Sequence, residues 1–407
     1  MLHGCSSWHH RYIWSRSPLF FKADGKEWIE SVGAGMLTLR EVEDRDILLL
    51  AELLPRGFAY TTPEFWLQRF DLWWAKNPVY TPQIPRGWVL DDGTNLMGFI
   101  GNIPVTYLVR GEKRIAAASS SWYVEPSVRG LYSIRLFNEF MKQKHASLFL
   151  FKAEEEYVMN FLTRYKFDEY ILPPSQKEYV CILSKKNIDF IFVKFIFSKQ
   201  IPKLSDIPEL YKRLGYLIFG YLLQKPAVRP AAGTDDTYTT SICTSCDDTF
   251  LSICEPYGKT CDVIVSYDTK TLNWLYFSSA RWFTRIVIQC RRSRDNTLAG
   301  YMVFDIERRK PSEAGSMRLL EMCIEDTDPR VLSSLTSCAI KTGKQNNAAL
   351  LVVWANSKET EAYFRSTFFM QRAARHYRYL RFSDDPEMRS VREDHGTICP
   401  SLIYPPQ

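Results

Sequence analysis

The stretch Val124-Glu125-Pro126-Ser127-Val128-Arg129-Gly130-Leu131-Tyr132-Ser133 constrains this chain more than any other. A run with strand character, Ala116 to Val124, stops just ahead of a proline, Pro126. An Arg-Gly turn follows, and the amphipathic run Ile134 to Met141 begins at once. The first N–H groups of a helix have no intrahelical partner and point one way, so a turn of this kind can hold an anion such as a pyrophosphate. Beyond it, Ser147 to Lys152 reads as a strand and Glu154 to Tyr165 as a helix.

Upstream, the pattern becomes regular at Met36. Leu37 to Val42 alternates as a strand, and Asp44 is expected to cap a helix with apolar positions at Ile47, Leu50, Ala51 and Leu54. A second helix is expected from Pro63 to Lys76. Trp88 to Leu90 and Asn95 to Leu108, joined by Asp91-Asp92-Gly93-Thr94, read as an antiparallel hairpin, and a turn at Gly111-Glu112 leads into Ile115 to Val124. Residues 1–35 lack periodicity and an apolar run of the kind a signal peptide carries, so they read as a loosely attached, poorly structured extension.

Residues 185–233 form an aromatic, helix-prone connector ending in the breaker-rich Lys225-Pro226-Ala227-Val228-Arg229-Pro230-Ala231-Ala232-Gly233, a boundary signal. Beyond it the element order recurs. Thr237 to Cys243 reads as a strand, followed by helical material through Trp274. Arg285 to Cys290, Leu298 to Ile306 and Met317 to Ile324 read as strands, and Pro329 to Thr342 as a helix. Ala348 to Trp354 reads as a strand, Lys358 to Phe368 as a helix and Tyr377 to Phe382 as a strand. Residues 386–407 read as a C-terminal tail.

The 407 residues are 46% hydrophobic, ample for two cores. Basic residues exceed acidic ones, 52 to 46, without a basic tail or stripe, so nucleic-acid binding leaves no footprint while an anionic ligand fits. No run reaches the roughly 18 apolar residues of a membrane span. Most of the ten cysteines sit in apolar contexts such as Tyr179-Val180-Cys181-Ile182-Leu183, the usage of a reducing compartment, and a cytoplasmic location is expected. Cys243-Thr244-Ser245-Cys246 with Cys254 and Cys261 lacks the second tight pair of a zinc site, so these read as structural thiols and no metal is expected.

The order strand, two helices, three antiparallel strands, Arg-Gly turn, helix, strand, helix, strand resembles the GNAT N-acetyltransferase superfamily. The resemblance implies an α/β (α+β) fold with two GNAT-like domains, residues 36–184 and 234–385, each a mixed, mostly antiparallel sheet flanked by helices. It further implies acyl-CoA binding in the first domain. The pyrophosphate would lie at Arg129, Gly130, Leu131, Tyr132 and Ser133, and the pantetheine along the backbone of Trp122, Tyr123 and Val124. Tyr132 stands where the family's main glycine is expected and Ile134 where a small residue is expected. The Glu base that the family often places on the preceding strand has no counterpart in Ala116 to Ser121, so base help would come from elsewhere or from water relayed by Ser119, Ser120 and Ser121. Glu155 falls at the family's helix-opening Asn, Leu162 at its Tyr, and Lys166-Phe167 at its Gly-Phe. Glu155 is therefore the candidate base, although Glu154-Glu155-Glu156 also reads as a cap for the helix dipole. In the second half Asn356, Tyr363 and Phe368 keep the spacing, with Tyr363 read as a packing residue, while Asp328-Pro329-Arg330-Val331 has no glycine turn.

The implied activity is acyl-CoA-dependent N-acyl transfer, with acetyl-CoA or another acyl-CoA as co-substrate and a small-molecule or peptide amine as acceptor. The rival is a non-catalytic binding or scaffold protein that retains the fold. Aminoacyl transfer from charged tRNA would need a basic groove that the sequence does not show.

Overall fold

The computed structural model describes residues 37–58, 61–153, 156–172, 177–184, 237–266, 268–277, 283–307, 315–325, 328–355, 357–368, 370–373 and 376–393. Residues 1–36, the connector 185–233, Glu154, Glu155 and Asn356 lie outside the described residues, and so do the expectations that fall on them.

In the first half, β1 (Thr38–Glu41), β2 (Gly87–Asp91), β3 (Leu96–Val109) and β4 (Glu112–Val124) pair antiparallel in sequence order. The expected β2–β3 turn is built by Asp91 and Asp92, whose carboxylates accept from the N–H groups of Gly93 (2.8 Å) and of Thr94 and Asn95 (2.8 and 2.6 Å). Between β1 and β2 run α1 (Asp46–Gly57) and α2 (Pro63–Phe70), the latter continuing as a π turn over Asp71–Ala75. The expected cap at Asp44 is not found, because Asp44 instead pairs with Arg86. The buried carboxylate of Asp46 accepts from Glu43 N at 2.8 Å and from two Arg40 nitrogens at 2.6 and 2.8 Å, fixing the strand-to-helix corner.

After β4 come α3 (Leu131–Met141), β5 (Leu148–Lys152), α4 (Glu156–Arg164), β6 (Asp168–Leu172) and β7 (Lys177–Ile182). The second half repeats the order with β8 (Tyr238–Cys243), α5 (Asp248–Thr260), β9 (Val263–Val265), α6 (Thr269–Phe277), β10 (Phe283–Arg292), β11 (Leu298–Glu307), β12 (Gly315–Ile324), α7 (Pro329–Gln345), β13 (Ala348–Trp354), α8 (Lys358–Thr367), β14 (Met370–Ala373) and β15 (His376–Phe382). A further helix, α9 (Pro386–Glu393), occupies the start of what reads in sequence as a tail. It buries Met388 and Val391 and pairs Glu387 with Arg114.

The two mixed sheets do not follow the two halves of the chain. The first runs β1-β2-β3-β4-β5-β15-β6, with β9 on β3, and the second runs β14-β7-β13-β12-β11-β10-β8. The first half therefore gives one strand, β7, to the second sheet, and the second half gives two, β9 and β15, to the first. β15 lies between β5 and β6, with Tyr379 opposite Phe151 and Glu169. β7 lies between β13 and β14, with Val180 opposite Val352 and Met370. The largest apolar core is shared between the halves, since it unites α1, α2 and the π turn with α5 and α6. A second core fills the space between the second sheet and α7 and α8, and a third lies between the first sheet and α3 and α4.

The eight described cysteines form no disulfide among the described residues, and Cys246 and Cys254 are buried among apolar side chains. The described residues hold no group of three His, Cys, Asp or Glu side chains placed to bind a metal ion. Among them, no helix is long and apolar enough to cross a membrane.

Candidate functional site

The site is built where β4 and β5 part. They pair in parallel only at Ala116–Leu148, Ala117–Phe149 and Ala118–Leu150. Past that point β4 carries a β-bulge: Gly101 lies opposite Ser120 and Phe99 opposite Tyr123, so Ser121 and Trp122 together face Ile100. Ser121 takes a φ of 55°, a left-handed conformation that a serine adopts only where its surroundings impose it. A bulge bends its strand and reverses the alternation of faces. Ala116 and Ala118 accordingly join the shared core, as does Tyr123, whereas Trp122 and Val124 turn to the α3–α4 side. The edge of β4 beyond Ala118 and the edge of β5 at Phe151 and Lys152 face each other without pairing, while β5 is held on its far side by β15.

At the open end of this cleft a 3-10 turn, Pro126–Val128, leads to Arg129, Gly130 and α3. Gly130 has φ 86° and ψ −109°, accessible to glycine alone, and a Cβ built there meets nothing within 4 Å, so the space above the turn is open. No side chain caps α3 at its N-cap residue. Ser133, in the first turn, is only 4% exposed, and its hydroxyl has no hydrogen-bond partner among the described residues; the same is true of the indole N–H of Trp122. These two orphaned polar atoms and the uncapped turn fit a polar, anionic ligand.

The other expected residues divide. Arg129 does not simply stand over the turn: its Nε donates to the carbonyl of Val124 at 2.8 Å and its guanidinium lies 5.8 Å from the centre of the Tyr123 ring, bracing the loop. Leu131 is exposed at the helix start, and Tyr132 is half-buried against the third core with Arg135 over its ring. Trp122 packs between Phe137 of α3 and Phe161 of α4, with ring centres 5.5 Å from each. Leu162 is buried in the third core. Lys166 takes the positive φ (61°) at the place of the family's glycine, with Phe167 buried behind it. Glu155 lies outside the described residues.

Sequence reasoning missed a cluster on the other face of β4. Tyr123 donates its hydroxyl hydrogen to Glu125 Oε2 at 3.1 Å, and Arg56, at the end of α1, donates to Glu125 Oε1 at 3.1 Å. Burial, and then the neighbouring Glu125, push the Tyr123 phenol up to about 12. Only the two-residue spacing of Tyr123 and Glu125 was visible in sequence; Arg56 arrives from another element.

The second half repeats the geometry and closes it. β12 and β13 pair in parallel from Gly315–Ala348 to Arg318–Val352, and a bulge at Leu320 follows. The start of α7, however, is capped by its own Asp328, which accepts from Arg330 N at 2.8 Å, binds the Arg330 guanidinium and accepts from Tyr238 OH at 3.0 Å. Arg330's hydrogen bonds outweigh partial burial and hold the Asp328 carboxylate down at about 2, so a fixed negative charge occupies the place of an anion. Tyr363 packs against Phe364 and the second core.

Solved structures share this architecture. Saccharomyces cerevisiae N-myristoyltransferase with bound myristoyl-CoA aligns over 87% of this chain and 80% of its own at 14% identity, with a TM-score of 0.52. GCN5-related N-acetyltransferases from Anabaena variabilis (8% identity, 86% and 73% covered, TM-score 0.51) and Kribbella flavida (8%, 87% and 72%, 0.50) align similarly. No family model matches the sequence, and no curated protein does. The chain thus has the tandem GNAT-type fold, with two mixed sheets flanked by helices.

Proposed function

We propose that the chain is an acyl-CoA-dependent N-acyltransferase whose first sheet binds the thioester and whose product is an amide. The observation that carries this reading is the parting of β4 and β5 at the Ser121 bulge, directly ahead of an uncapped helix start at Gly130. Trp122, Tyr123 and Val124 would hold the pantetheine by their backbone, and the N–H groups from Gly130 to Ser133 would hold the pyrophosphate. Oriented binding of amine and thioester would supply much of the rate. The structural neighbours are named for myristoyl and acetyl transfer, which supports an acyl-CoA in general; acetyl-CoA is the proposed donor, with a peptide or small-molecule amine as acceptor. A cytoplasmic location, supported by the use of Cys181, Cys246, Cys254, Cys290 and Cys323 as buried thiols, and a division of the chain near Lys225–Gly233 belong to the same proposal.

A non-catalytic binding or scaffold role is favoured by one observation, the packing of Trp122 between Phe137 and Phe161, which narrows the interval between α3 and α4. Calorimetric titration of the full chain with CoA, acetyl-CoA and myristoyl-CoA decides between them. The transferase reading expects micromolar binding of at least one thioester and thiol release when an amine is added. Binding of none of the three would overturn it.

A further inference from the structure

Among the described residues, which do not include Glu155, the transferase reading leaves a proton without a taker. An amine attacking a thioester must lose one, yet Ala116 to Ser121 offer no carboxylate and Leu162 no hydroxyl. The bulge turns a different pair to the α1 face of β4, Tyr123 with its partner Glu125. Because it reverses the alternation of β4, Tyr123 comes to the same face as Ala116 and Ala118, five residues beyond the last β4–β5 pair, where the two strands have parted. Its position is tightly determined. A Cβ on Gly57 would come within 2.2 Å of the Tyr123 ring, so that glycine lets α1 close on it, and Phe58 packs at 6.3 Å. The charged groups around the phenol are Glu125 and Arg129 from the loop after β4 and Arg56 from α1. Phe99, opposite in β3, brings no charge.

We propose, resting on the transferase reading, that Tyr123 and Glu125 form the proton relay of the acyl transfer, with Arg56 as a positioning residue that holds the outer oxygen of Glu125. The amine nitrogen adds to the thioester carbonyl. As the C–N bond forms, the nitrogen's proton passes to Tyr123 Oη while the Tyr123 hydroxyl proton passes to Glu125 Oε2 along the existing 3.1 Å hydrogen bond. The tetrahedral adduct then collapses, the C–S bond breaks with its electron pair on sulfur, and the CoA thiolate leaves. Glu125 returns its proton to solvent, and the thiolate takes one up. Amine and thioester become amide and thiol, with no other reactant. The high phenol pKa keeps Tyr123 protonated at neutral pH, as a relay member must be.

The test uses the full chain with acetyl-CoA and methylamine as a generic amine, with thiol release followed by absorbance and thioester binding followed by calorimetry. Tyr123→Phe keeps the ring against Gly57, and Glu125→Gln keeps its shape, so both should fold. Each is expected to lower kcat by about 100-fold with the thioester Kd within about twofold of the unaltered chain, and the double variant to be no slower than either single one. Unchanged kcat in both variants, or a loss confined to Kd, would overturn the relay while leaving the transferase intact. An unaltered chain that binds no thioester would overturn both.

Discussion

Trp274 of α6 donates its indole N–H to the carbonyl of Leu72, in the π turn after α2, at 2.8 Å and out of contact with solvent. The bond joins the two halves of the chain through the middle of their shared core. Trp274→Phe keeps most of the packing but leaves that carbonyl buried without its donor, at an expected loss of about 1–3 kcal/mol. Urea unfolding measures it, and an unchanged midpoint would show that the seam does not depend on this contact.

Gly130→Val should abolish CoA binding in calorimetry while circular dichroism remains that of the folded chain. The built Cβ meets no neighbour, so the damage comes from a φ of 86° that a branched residue holds only with strain of about 1–3 kcal/mol, and from filling the open cradle. Arg330→Ala, at the closed counterpart on α7, should leave CoA affinity intact. Unchanged affinity in Gly130→Val would shift the reading to a scaffold.

Asp46 predicts an acid-sensitive corner. Burial alone would raise its pKa, but the hydrogen bonds from Arg40 and from Glu43 N prevail and hold it below the ordinary 3.8. Because the folded value is the lower one, the carboxylate's stabilisation is fully present above the unfolded value and is lost as the pH falls through the folded one. Asp46→Asn is expected to cost about 1–3 kcal/mol near neutral pH, since it takes the charge from two of Arg40's hydrogen bonds while Asp91 still holds the guanidinium. The gap between variant and parent should shrink below about pH 3.9. Melting curves across that range check the sign.

Deletion of residues 1–35 should move the melting temperature by no more than a few degrees, because that segment offers no periodic apolar face. A larger drop would mean that it joins a core.

The strand-turn-helix from Ala116 to Met141 was legible because each signal in it is local: alternation, a proline, an Arg-Gly turn, helical spacing. The bulge was not, since Ser121 takes its left-handed conformation without the glycine that marks such a site in sequence. Nor was the meeting of Arg56 with Glu125, whose partners lie on different elements. The strand at His376–Phe382 was readable as a strand, but nothing in its alternation says which sheet it enters, because pairing partners are chosen by the folded surroundings.

That choice has a consequence for a chain still leaving the ribosome. Until residues 376–382 have been synthesised, β5 and β6 have no strand between them, and the first half presents two open edges throughout translation of the second. Unpaired edges invite association with other chains. The newborn first half should therefore need a holding chaperone, and a premature stop just before His376 should give an aggregating product rather than a working half.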